Sequence, residues 1–221
     1  MKPSKYNGMG FFSEERVQEI TESFKEVIVI PVNRTFEGEN RVYSFVEMEE
    51  ILKSAEKIAS GLCGCKREYS NCDAPRIGCI SLDSWADDFL ENEPTIVHEI
   101  SVEEALELFH KSHEAGLVHI SYTMKDDEKP GLICSCCPCC CHTLGSLIRN
   151  GTHPLMLTSK YIAVNEDQLC IQCGKCVERC AFGTREMVDN HLGYDDSICF
   201  GCGLCVSTCP KGAISLVSRE G

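Results

Sequence analysis

The chain lacks any apolar run long enough to cross a bilayer. Its longest clear one, Val27–Val32, is short against the ~20 residues that a spanning helix needs. Residues 1–16 lack an apolar signal-like core. No G-x-G-x-x-G or Walker A pattern occurs, so intrinsic NAD, FAD or ATP binding has no support. No Ser, His and Asp stand in an order that argues for a triad. Basic charge is also scarce: 21 Lys and Arg oppose 34 Asp and Glu, a net charge of −13. Nucleic-acid binding is therefore excluded, because phosphate contact needs a basic face. These absences lead to the expectation of a cytoplasmic protein with no membrane span.

The acidic excess is uneven. Residues 1–160 carry 16 Lys and Arg against 26 Asp and Glu; residues 161–221 carry 5 against 8. An acidic surface suits docking on a basic redox partner, with salt-sensitive rates. It also suits plain solubility.

What is abundant is cysteine, at 18 of 221 residues. Such counts often mark secreted disulfide scaffolds. Here the cysteines cluster at metal-ligand spacing, which points to a reducing, oxygen-poor compartment. Cys170, Cys173, Cys176 and Cys180 form a C-x2-C-x2-C-x3-C run, and Cys199, Cys202, Cys205 and Cys209 repeat it, closed by Pro210. The constant offset marks an internal duplication. A tight C-x2-C-x2-C loop can wrap three corners of an iron–sulfur cubane. The fourth thiolate then reaches the other cluster, since the chain has already turned away. The expected sets are Cys170, Cys173, Cys176 and Cys209 on one cluster, and Cys199, Cys202, Cys205 and Cys180 on the second. Cysteine pairs at this spacing also bind zinc, but two complete runs exceed what a zinc knuckle needs.

These runs resemble a bacterial-type two-[4Fe-4S] ferredoxin over residues 164–217, about a quarter of the chain. One departure is Cys180-Ala181-Phe182, where such runs have a proline after the cysteine. It removes no ligand, but loosens the expected turn. Gly174, Gly201 and Gly203 suit loops whose backbone approaches sulfur closely.

Upstream, Ser13 is expected to cap a helix carrying Val17, Ile20 and Phe24. Val27–Val32 reads as a strand and Thr35–Asn40 as a turn. Ser44 and Glu47 suggest a capping box for a helix with Phe45, Met48, Leu52, Ala55 and Ala59 buried, stopped at Gly61. Trp85, Phe89 and Leu90 fit an amphipathic helix. Ser101 and Glu104 form another capping box, with the helix running to Gly116. Leu117–Thr123 reads as a strand, Thr143–Asn150 as a short helix, residues 153–160 as a linker and Tyr161–Asn165 as a strand. Alternating elements with short connections suggest an α/β or α+β unit. The fold class expected is α+β: an α/β cysteine-rich domain over residues 1–160, then a two-cluster ferredoxin-like domain over 161–221.

Ten cysteines remain: Cys63, Cys65, Cys72 and Cys79, then Cys134, Cys136, Cys137, Cys139, Cys140 and Cys141. Six thiols in eight residues cannot all serve one four-coordinate ion. Cys63-Gly64-Cys65-Lys66-Arg67, Gly116-Leu117-Val118-His119 and the Cys134–Cys141 run resemble a group of cysteine-rich 4Fe-4S-binding proteins of anaerobes. That resemblance implies at least one further iron–sulfur cluster, with only some of the ten as ligands. The centre could pass electrons to or from the ferredoxin clusters. It could instead bind and reduce a small-molecule substrate, making the chain an iron–sulfur oxidoreductase. A zinc or iron/sulfur scaffold without redox turnover is the third reading, and buried free cysteines are the fourth. His119 and His142 are candidate ligands or proton donors; each is more often a satisfied core or surface residue.

Overall fold

A computed structural model describes residues 6, 8–37, 40–150 and 156–219, with side chains described outside 33–44 and 156–157. The N-terminal part is built on a seven-stranded sheet. In spatial order its strands are β6 (Val97–Glu99), β4 (Ile58–Leu62), β5 (Ile77–Leu82), β8 (Leu132–Cys136), β7 (Val118–Met124), β1 (Phe24–Ile30) and β9 (Met156–Leu157). Every neighbouring pair is antiparallel except β1 with β9. This corrects the α/β expectation for the N-terminal part: most strands are paired antiparallel, as in α+β folds.

The sheet is covered on both faces. On one, β1 and β7 present Val27, Val29, Val118, Ile120 and Tyr122, which pack with Leu144 and Leu147 of α6 (His142–Asn150). On the other, Ile80 and Ile133 meet α2 (Val46–Ser54) and α5 (Val102–Glu114) through Met48, Leu52, Ala105 and Phe109. The period-2 alternation of side chains sorts these residues between faces. The expected capping box of α5 is present: Ser101 Oγ accepts from Glu104 N at 3.2 Å, and Glu104 Oε2 accepts from Ser101 N at 2.8 Å.

Several local expectations are corrected. α1 (Glu14–Thr21) is capped by Ser13 as expected, but Phe24 opens β1 instead of continuing the helix. β2 (Asn33–Glu37) and β3 (Asn40–Ser44) form an antiparallel hairpin across most of the expected turn, whose residues 38–39 lie outside the described ones. α2 starts at Val46 with Phe45 at the cap and no side-chain cap hydrogen bond, so the Ser44–Glu47 box is not realised. Ala59 and Gly61 belong to β4, so Gly61 stops no helix. The β-bridge to Val97 decides its place: a Cβ on Gly61 would lie 2.7 Å from Val97 Cγ2. Within the expected linker, β9 adds to the sheet edge; residues 153–155 lie outside the described ones.

The C-terminal part contains β10 (Tyr161–Asn165) paired with β13 (Ile214–Ser218), β11 (Arg185–Val188) paired with β12 (His191–Tyr194), and the short helices α7 (Lys175–Arg179) and α8 (Leu204–Thr208). It packs against the sheet through shared apolar residues. Phe182 and Leu204 are buried in the same core as Val118 and Leu144. Val32 N donates to Cys202 O at 3.2 Å. Arg179 donates to the His113 and Glu114 carbonyls at the C-terminus of α5, where a cation is favoured by the helix dipole.

Candidate metal centres

Each repeated cysteine run folds the same way. A glycine in the left-handed region, Gly174 or Gly203, sits at the N-cap of α7 or α8. Two cysteines lie on the loop before it, one on the helix (Cys176 or Cys205), and the fourth at the C-cap (Cys180 or Cys209). Cys170, Cys173, Cys176 and Cys209 line one cavity, and Cys180, Cys199, Cys202 and Cys205 line another. Gly201 N donates to Cys199 Sγ at 3.4 Å, the kind of amide–sulfur bond that tunes a cluster. A Cβ on Gly201 would collide with Tyr161 O, and one on Gly203 with Val32 O, so both loops must run bare. Arg185 is buried beside Cys176; burial lowers its pKa, but the charges of Cys205 and Cys176 outweigh this and raise it.

Residues 169–213 match the family model of the 4Fe-4S dicluster domain. This stretch is a ferredoxin-like 4Fe-4S domain, and its thiol-lined cavities fit such clusters. No curated protein matches the chain. Where the domain lacks a proline after Cys180, Phe182 is 2% exposed and stacks on Phe200 at 4.5 Å, with the rings 10° from parallel.

The sheet register gathers the upstream cysteines next to this 4Fe-4S domain. Cys79 on β5 pairs with Cys134 on β8, and Cys136 lies two residues on, along the same face. Cys63 ends the β4 connection as N-cap of α3 (Gly64–Tyr69), whose first turn carries Cys65. Cys141 immediately precedes α6. Their side chains interact in a closed sequence around one space: Cys63 with Cys65 and Cys79, Cys79 with Cys134, Cys134 with Cys136, Cys136 with Cys141, and Cys141 with Cys65. All six line one internal cavity. Bonds from Cys65 and Cys79 push the Cys63 pKa down to about 3, while bonds to Cys141 and Cys63 push Cys65 far up.

The other four upstream cysteines form a second group, of which Cys137 also borders the ring cavity. The ligand atoms of Cys72, Cys137, Cys139 and Cys140 all lie within 4.8 Å of one another. Cys72 Sγ and Cys137 Sγ are 3.7 Å apart, and Cys140 Sγ and Cys139 Sγ 3.8 Å. Asn71 Nδ2 donates to Cys139 O at 3.0 Å, and Arg149 donates to Pro138 O at 2.8 Å and to Cys139 O at 3.2 Å. These bonds fix the loop that carries three of the four thiols.

Lys66 is a site residue that the sequence offered only as part of a motif. It is 2% exposed, and its Nζ donates to Pro75 O at 2.9 Å and Ser135 O at 3.2 Å. Burial pulls its pKa down, but the charges of Cys63, Cys137, Cys136 and Cys79 outweigh it and hold the ammonium charged. Its acceptors lie 9 and 69 residues away, so only the fold reveals its place. Tyr122, on the face of β7 shared with Val118 and Ile120, is another such residue. Its hydroxyl lies 3.7 Å from Cys136 Sγ and 3.9 Å from Cys141 Sγ. Of the two candidate histidines, His142 lines the ring cavity. His119 is not among the residues lining that cavity; its Nδ1 lies 3.1 Å from Ser135 Oγ and its ring packs on Phe109.

Proposed function

We propose that this chain is an iron–sulfur electron-transfer protein. Its 4Fe-4S domain holds two clusters, one on Cys170, Cys173, Cys176 and Cys209, the other on Cys199, Cys202, Cys205 and Cys180. These pass single electrons to or from a further metal centre among the ten upstream cysteines. Bound clusters supply reversible one-electron carriers. The chain's own residues ligate them, aim amides such as Gly201 N–H at sulfur, and exclude water.

One observation carries the reading. Cys180 and Cys202 of the 4Fe-4S domain pack against the same apolar core as Cys134, Cys136 and Cys141. Dry, packed protein therefore joins the two sulfur regions. The acidic chain suits a basic redox partner met in an oxygen-poor cytoplasm. Among the described residues no helix is long and apolar enough to cross a membrane.

Iron quantification on anaerobically prepared protein tests this. Two cubanes account for about eight iron per chain. The expected result is a clear excess that falls when Cys134–Cys141 are changed to serine. Stoichiometric zinc with no excess iron would replace it by the scaffold reading.

A second reading, a reductase for a small substrate, is favoured by one cavity. A space of about 220 Å³ is lined by Cys63, Cys65, Cys79 and Cys134 among apolar Leu62, Phe89, Val97 and Leu132. A pure carrier reduces only redox proteins and artificial acceptors; turnover of a small molecule, lost in Cys79→Ser, would establish the reductase.

A further inference from the structure

We propose that the ten upstream cysteines build two different metal sites. Cys72, Cys137, Cys139 and Cys140 hold a single tetrahedral ion, and the six-thiol ring holds a polynuclear iron–sulfur assembly larger than one cubane. This deepens the reading above and rests on it only for the presence of iron in the 4Fe-4S domain.

The quartet's spacing sets its nuclearity. Four sulfurs at about 2.3 Å from one tetrahedral zinc stand roughly 3.8 Å apart. The Cys72–Cys137 and Cys139–Cys140 sulfurs are 3.7 and 3.8 Å apart, and all four ligand atoms fall within 4.8 Å of one another. A cubane spreads its outer thiolates wider, because each is bound to a separate iron corner. The molecule contains its own control. Among the described residues, the sulfurs of the quartet all lie within 4.8 Å of one another, and those of the four-cysteine sets in the 4Fe-4S domain do not. Thiolate sulfur in tetrahedral array selects zinc or a lone iron, and the metal present distinguishes the two.

The ring has the opposite character. Its six thiols surround a space instead of converging on a point. One cubane offers four iron corners, so six thiolates on one cavity exceed what it can take up. Two groups of the chain are placed to balance the charge that such an assembly brings. Lys66 lines the ring cavity, 2% exposed, with its Nζ tethered to Pro75 O and Ser135 O. Tyr122 points its hydroxyl at Cys136 and Cys141, as a donor to ligating sulfur would. The two sites touch through Cys137, a quartet member that also lines the ring cavity.

The test uses the full chain, reconstituted anaerobically with iron, sulfide and zinc. Metal content is measured in the wild type and in two double variants, C72S/C140S and C65S/C136S. The first is expected to lose a single ion per chain, zinc or iron. The second is expected to lose more than four irons and a Mössbauer component that the first keeps. Loss of the same irons in both variants would mean one shared centre and overturn the proposal. So would loss of a whole cubane's iron from C72S/C140S, or of at most one ion from C65S/C136S. Where a variant does not fold, an anomalous-scattering map of the wild type at the iron and zinc edges decides the same question. It should show one isolated metal peak at the quartet and a multi-metal peak in the ring. A variant lacking both sites that retains less than about eight iron would sink the two-cluster reading and leave this one standing.

Discussion

The 4Fe-4S domain and the cysteine-rich sheet both gather thiols, by opposite means. In the 4Fe-4S domain three of each four cysteines come from one loop and the helix after it, and their spacing alone brings them together. In the sheet region the six ring cysteines come from β5, β8, the cap and first turn of α3 and the residue before α6. There, pairing of Cys79 with Cys134 does the work. Half of the domain's buried core is cysteine: Cys176, Cys199, Cys205 and Cys209 are four of its eight buried members. The α2–α5 core of the sheet contains no cysteine among its buried members. A local metal loop leans on its metal for stability, whereas a sheet can stand first and present thiols afterwards.

Removing metal should therefore break the comparison most strongly. After chelation, amides of β10 and β13 are expected to lose nearly all protection from hydrogen exchange, while β1 and β7 keep most of theirs. Equal loss in both regions would mean that the sheet also depends on its metals. Phe109→Ala attacks the sheet instead. It should cost about 3–5 kcal/mol by denaturant titration, through a cavity in the cysteine-free core. The iron content of the remaining folded protein should stay unchanged.

Two glycines sharpen the contrast between loops. Both hold positive φ, +79° at Gly203 and +72° at Gly174. A Cβ at Gly203 collides with Val32 O, while one at Gly174 meets nothing nearer than Met187 Cγ at 3.6 Å. Gly174→Ala should cost about 1–2 kcal/mol, the strain of the left-handed backbone alone. Gly203→Ala should cost more and should also loosen the contact with Val32, read as faster exchange of the Val32 amide.

His113 makes the seam between the regions acid-sensitive. Its Nε2 lies 2.8 Å from Ser207 Oγ of α8, and burial pushes its pKa down from 6.5 to about 3. Arg179 and His110 add to the depression. The folded state holds the ring neutral, so its stability is full above pH 6.5 and falls as pH drops from there toward 3. His113→Gln should flatten that part of the stability profile. The smallest effect belongs to Ser101→Ala, about 1 kcal/mol from the lost capping box, with no change in metal content.

Legibility followed the range of the interactions. The α5 capping box, the β10 strand and the doubled cysteine run were readable because their partners lie within a few residues. The helix expected to run through Ala59 to Gly61 failed because pairing with β5 and β6 claims those residues for a strand. Phe24 went the same way, drawn into β1 opposite Met124. Lys66 could not be recognised as an internal cation, because its partners Pro75 and Ser135 lie 9 and 69 residues away.

The amino-acid order by itself determined that this chain carries a ferredoxin-like 4Fe-4S stretch and ten surplus thiols. Short-range spacing sufficed, since a C-x2-C-x2-C loop has few ways to fold around sulfur. Only tertiary structure decided which surplus thiols meet. That depends on the register of β5 against β8 and on the seating of one loop between Asn71 and Arg149. Contacts made across tens of residues depend on the whole packed core, and no short window of sequence contains them.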